Sequence, residues 1–197
     1  QGVRTSPSAI TKEPVHYYPD GSATTGATTE PTTEPTTAAT QAPQEEHTFT
    51  FSDLEKYSNR AANLFTKLGI GRGDTVVLIL KRHYEFWFAL LGLHKVGAVG
   101  IPATNLLTKK DLVYRFNAAH VKGIICTTDG EVMDHADAAF PESPTVKVKI
   151  GVHGAHEGWV DFSKELESQP DTFERAETSA ADPMLLYFTS GTTGMPK

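Results

Sequence analysis

From residue 48 onward, apolar and polar positions alternate between two periods, one helical and one strand-like. Ser52-Asp-Leu-Glu55 reads as a capping box. Leu54, Tyr57, Ala61, Leu64, Phe65 and Leu68 follow at helical spacing until Gly69 stops them. The unbroken β-branched and leucine run over 75–80 predicts a strand buried on both faces. A second, mostly apolar helix is expected over 84–96, ended by Gly97, and then a short strand over 98–101, stopped by Pro102. Thr108-Lys-Lys-Asp111 opens a third helix reaching about Ala119. Strand 123–127, helix 131–139, strand 145–150, a helix capped by Asp161 and running to Ser168, and a last strand over 184–189 complete the series. Such alternation with short breaks predicts an α/β fold, a parallel sheet covered by helices. Ligands of such sheets sit beyond the carboxyl ends of the strands.

The first 46 residues break the pattern. Residues 21–44 are dominated by Thr, Ala, Pro and Gly, and Thr-Thr-Glu-Pro occurs at 28–31 and again at 32–35. Such a tract buries too little apolar surface to offset the entropy of ordering. Residues 1–46 are therefore expected to be a disordered low-complexity tract, with Val15-His-Tyr-Tyr18 as a candidate short strand, and 47–197 the folded part. Thr/Pro-rich tracts also form O-glycosylated stalks in secreted proteins. A non-enzymatic, secreted or surface binding module on a stalk thus stands as the alternative function, and a chimeric gene as a third explanation.

Composition narrows the classes. At 197 residues the chain is one domain or part of a larger one. A net charge of −6 without a Lys/Arg cluster argues against a nucleic-acid partner. Mean hydropathy is −0.31 and no apolar run suffices for a transmembrane segment. Cys126 is the single cysteine, which rules out an intrachain disulfide and fits a reducing, cytoplasmic location. The chain begins at Gln1, so a removed leader stays open, and nothing in the sequence speaks to oligomeric state.

The chemistry gathers at the end, in Tyr187-Phe-Thr-Ser-Gly-Thr-Thr-Gly-Met-Pro-Lys197. Glycines permit sharp turns and close backbone approach. Consecutive N–H groups in such a turn form an anion-binding concavity, hydroxyls donate to phosphate oxygens, and Lys197 adds a mobile positive charge. The spacing is not that of the P-loop: Gly191 and Gly194 lie too close together, Pro196 precedes the lysine, and no Ser or Thr follows it.

The run instead resembles the phosphate-binding signature of the adenylate-forming (AMP-binding) superfamily, with Phe188 inserted between Tyr187 and Thr189. Upstream stretches resemble the acyl-CoA synthetase branch of the acetyl or medium-chain type. They are Thr48-Phe-Thr-Phe-Ser-Asp-Leu54, Leu68-Gly-Ile-Gly-Arg-Gly-Asp-Thr-Val76, Lys81-Arg-His-Tyr-Glu-Phe-Trp-Phe88, Gly97-Ala-Val-Gly-Ile-Pro-Ala-Thr104 and Leu107-Thr-Lys-Lys-Asp-Leu-Val-Tyr-Arg115. The resemblance implies a truncated N-terminal portion of an adenylate-forming domain. It also implies the family reaction: a carboxylic acid attacks ATP, held with Mg2+, to give an acyl-adenylate, and coenzyme A then takes the acyl group. In that scheme Thr189, Ser190, Gly191, Thr192, Thr193, Gly194 and Lys197 hold phosphates. No catalytic residue and no metal ligand are assigned within the chain. The family's adenine, ribose and magnesium-assisting groups and its lid lysine lie further along, so the 197-residue piece alone is expected to be inactive. A sheet cut short is expected to be marginally stable.

Other features have plainer readings. Gly69-Ile-Gly-Arg-Gly73 follows a helix and precedes a strand, the reverse of a dinucleotide fingerprint, so a helix stop and turn is favoured; the Arg72-Gly-Asp74 adhesion tripeptide falls in the same turn. His153 and His156 could ligate a metal but have no further partner nearby in sequence. Phe86, Trp87 and Phe88 are favoured as core over a stacking platform, and Cys126 as an inert core thiol over a nucleophile. Thr104 and Asn105 could approach a substrate or simply form a turn.

Overall fold

The computed structural model describes residues 46–189. The chain divides into two compact units, Gln1–Thr50 and Phe51–Lys197. Of the first, only residues 46–50 are described, with the His47 and Phe49 rings stacked 6.3 Å apart. The expected strand at 15–18 and the disorder expected for 1–46 fall, apart from Glu46, outside the described residues.

In the second unit, α1 (Phe51–Lys67) leads to β1 (Thr75–Ile79), α2 (Glu85–Val96), β2 (Val99–Pro102), α3 (Lys109–Ala118) and β3 (Gly123–Thr127). Then come α4 (Val132–Ala139), a 3-10 turn (Phe140–Glu142), β4 (Val148–Val152), β5 (Val160–Asp161) and α5 (Phe162–Glu167). All named strands pair in parallel, in the order β2-β1-β3-β4-β5. Helices α1, α2 and α5 lie on one face and α3 and α4 on the other. The expected α/β sheet covered on both faces is therefore what the chain forms.

Burial follows from that sandwich. Strand residues alternate sides. Val77, Ile79, Ile101, Ile124 and Cys126 pack with Leu112, Phe116, Met133 and Ala136 under α3 and α4. On the opposite face α1 and α2 approach closely: a Cβ added at Gly92 would stand 2.7 Å from the Ala61 Cβ. The Tyr57 and Phe88 rings stack at 4.6 Å, and Phe65 meets Phe162 of α5 at 6.3 Å.

Helix ends mostly agree with their signals. Gly97 ends α2 in the left-handed conformation, φ 76°, with its N–H bonded to carbonyls of the last turn. The Asp161 carboxylate caps α5 by accepting the Lys164 N–H at 3.1 Å. At α3 the Thr108 N–H and hydroxyl both donate to one Asp111 oxygen, at 3.1 and 2.7 Å. These bonds hold the Asp111 carboxyl below the usual carboxylate range. The first capping box is different: α1 begins at Phe51, so Ser52 lies inside it and Thr50 precedes it.

Two strands depart from expectation. The 145–150 strand is shifted to Val148–Val152, because the Ser143 carbonyl accepts the Val146 N–H in a turn that holds the chain off the sheet until it reaches Gly123. The expected 184–189 strand shrinks to one bridge, Leu185 against Gly100. Gly100 donates to the Met184 carbonyl and accepts from Leu186, both at 3.0 Å. The next donor on that edge would be Pro102, which has no N–H, so the ladder stops.

Candidate active site at the carboxyl edge of the sheet

Leu185 pairs with β2 in parallel, so the chain after it runs toward the carboxyl end of the sheet. Leu186 and Phe188 pack on the α3/α4 core, and the Phe188 ring lies 6.1 Å from that of Tyr114 and 5.3 Å from the Arg115 guanidinium. That anchoring aims Thr189, the last described residue, past the end of β2. Ser190, Gly191, Thr192, Thr193, Gly194 and Lys197 lie outside the described residues.

Order 2-1-3 reverses direction at β1, and the crevice beyond β1 and β3 is where such sheets take ligands. That crevice is charged. Lys81, after β1, pairs with Asp129, after β3. Thr127 donates to Asp129 as well, and its hydroxyl lies 3.3 Å from His83 Nε2. Burial pushes the Asp129 carboxyl up, but Lys81 and His83 outweigh it and leave the group below the usual range. His153, directly after β4, brings its ring within 4.4 Å of His83 and its Nε2 within 3.2 Å of Glu85 Oε1.

Glu85 is the unusual member. It opens α2 and is only 3% exposed, and its Oε2 has no hydrogen-bond partner among the described residues. Burying a polar oxygen without a hydrogen bond costs about 1–3 kcal/mol. Glu85 sits at the positive end of the α2 dipole, and its other carboxyl oxygen faces His153.

A cleft of about 600 Å³ lies elsewhere, between α1, α2 and the 175–184 segment. Its walls include Gly97, Ala98 and Met184, at the amino end of β2, away from the edge where parallel sheets bind ligands.

The remaining candidates sort by geometry. The Thr104 hydroxyl accepts the Leu106 N–H at 3.3 Å, so Thr104 and Asn105 form an exposed turn. His153 and His156 do not converge: His156 Nε2 meets Asp137 Oδ2 at 2.8 Å. Of the aromatic trio only Phe88 is core, while Phe86 is half-buried and Trp87 is 41% exposed. Successive helical residues point about 100° apart, so three in a row cannot share one face. Gly69 and Gly73 take left-handed φ of 82° and 81°, as a helix stop and turn require. Arg72 pairs with Asp182 and Asp74 with Lys122, both at 2.7 Å, so both charges of the adhesion tripeptide are engaged. Sequence reasoning missed His83 and Glu85 as a group. Their position just after a strand was the available signal, but their convergence with His153 depends on the strand order.

A family model described as "AMP-binding enzyme" matches residues 28–197. Mitochondrial acyl-coenzyme A synthetase ACSM4 of Mus musculus is 39% identical over 155 residues, which are 78% of this chain and 26% of that protein. Mitochondrial acyl-coenzyme A synthetase ACSM1 of Homo sapiens is 35% identical over the same shares. Among solved structures, the anthranilate CoA ligase AuaEII in complex with anthranoyl-AMP superposes with a TM-score of 0.71 at 25% identity, over 77% of this chain and 29% of that one. The N-terminal domain of FACL13 from Mycobacterium tuberculosis gives 0.67 at 28% identity, over 77% and 36%. The chain thus spans about a quarter of the length of the curated relatives it matches.

Proposed function

Because the chain belongs to the AMP-binding enzyme family, we propose that it is the opening portion of an ATP-dependent acyl-CoA synthetase, which activates a carboxylic acid as its acyl-adenylate and passes the acyl group to coenzyme A. The supporting observation is the hydroxyl- and glycine-rich run from Thr189 to Lys197, entered by a segment that runs parallel to β2 toward the carboxyl edge.

The donor set suits a polyphosphate. Thr189, Ser190, Thr192 and Thr193 offer hydroxyl donors, Gly191 and Gly194 leave backbone N–H groups accessible, and Lys197 carries the cation; residues 187–197 contain no carboxylate to repel phosphate. ATP, when bound, supplies the adenylate and pyrophosphate as leaving group. The residues of this chain orient its phosphates and neutralise their charge. A magnesium ion bound with ATP would share that charge while keeping several waters of its own.

The compartment favoured is a reducing one. Cys126 is a buried free thiol and the matched relatives are named as mitochondrial. No helix among the described residues is long and apolar enough to cross a membrane.

The test uses the full-length protein. Lys197→Ala removes one charge-assisted contact, worth about 1.5–3 kcal/mol. Pyrophosphate release with ATP and short- or medium-chain acids should fall roughly 10- to 150-fold in kcat/KM. An unchanged rate in a variant with alanine at all seven positions refutes the proposal.

A further inference from the structure

We propose that His83, Glu85 and His153, none of them a residue of the proposed phosphate run, bind one divalent transition-metal ion of the zinc type. One donor atom from each lies within 4.8 Å of the others. The His153 Nε2–Glu85 Oε1 separation of 3.2 Å already matches the edge of a tetrahedron with metal–ligand bonds of about 2.0 Å. Closing the third corner takes a shift of at most about 1.5 Å, from separations within 4.8 Å to a tetrahedral edge of about 3.3 Å. Two imidazoles and one carboxylate form a nitrogen-rich set that suits zinc and its neighbours rather than magnesium or calcium, which prefer oxygen.

The buried carboxylate carries the inference. Glu85 faces His153 and leaves Oε2 without a partner among the described residues. Asp129 lies near, with Oδ1 3.7 Å from His83 Nε2, but Lys81 already neutralises it. A dication would meet the Glu85 carboxyl group and the two imidazoles at one place. The half-exposed His153 leaves a route for the ion and a coordination position for water. The ion would join the loops after β1 and β4 across the end of β3.

The experiment titrates chelator-treated full-length protein with zinc chloride by calorimetry, and with cobalt(II) by visible absorption. The unaltered protein should bind one zinc per chain at least tenfold more tightly than Glu85→Gln or His153→Asn, and show a tetrahedral cobalt band that both variants lack. Asparagine tolerates the φ of 65° at position 153, so that variant keeps its fold and decides alone if Glu85→Gln does not. His156→Ala should bind zinc as the unaltered protein does. Equal zinc affinity in the unaltered and His153→Asn proteins, or no uptake by the unaltered protein, overturns the site and leaves a His153–Glu85 ion pair.

Discussion

Cys126 shows how a residue's surroundings set its chemistry. It is fully buried on β3, and burial, reinforced by the charges of Asp137 and Asp129, pushes its thiol up to about 12. At pH 8 the thiolate fraction is then roughly one in ten thousand. The folded protein should resist iodoacetamide at pH 8, whereas the urea-unfolded chain should react within minutes; rapid alkylation of the folded form counts against this. The sign for stability follows: the raised value favours the native state below the ordinary thiol range, and that contribution is lost as pH climbs toward 12. The inert character was readable from an apolar strand run around the cysteine. Glu85 was not readable in the same way. Its sequence neighbours suggest an ordinary helix start, and only its contact with a histidine 68 positions later (153 − 85) makes it unusual.

At the scale of elements, helix ends were legible because their signals act within three or four residues. Gly97, Thr108 with Asp111, and Asp161 each satisfy groups in their own turn. The segment after Pro183 was not, since its apolar pattern suits a strand but the partner edge presents Pro102 where a donor is needed. Gly92 makes the same point for helix packing. Alanine there should gain about 1 kcal/mol of helix propensity. Its Cβ, however, would meet the Ala61 Cβ at 2.7 Å and the Ala62 backbone nitrogen at 3.1 Å, neither of which can swing aside. Overpacking of that kind costs about 1–3 kcal/mol. Gly92→Ala should therefore lower stability by up to about 2 kcal/mol, read as a lower urea midpoint for the full-length protein; a higher midpoint would show that α1 and α2 are not closely packed.

For the whole molecule, the chain spans only 26% of relatives such as the mouse synthetase. The proposed phosphate run supplies donors and one cation but no base, no metal carboxylate and no lid. The 197-residue piece should accordingly release no pyrophosphate from ATP with fatty acids, while the full-length protein does; clear turnover by the piece in a coupled assay would contradict this. The sequence by itself determined the α/β class, most of the helices and the inert thiol, because periodicity, caps and apolar runs are local properties; it also holds the run proposed to bind phosphate. Tertiary structure alone decided the strand order, the truncation of the last strand at Pro102 and the meeting of His83, Glu85 and His153. Those depend on which strands become neighbours, and that choice is made by burying both faces of the sheet at once rather than by any short stretch of residues.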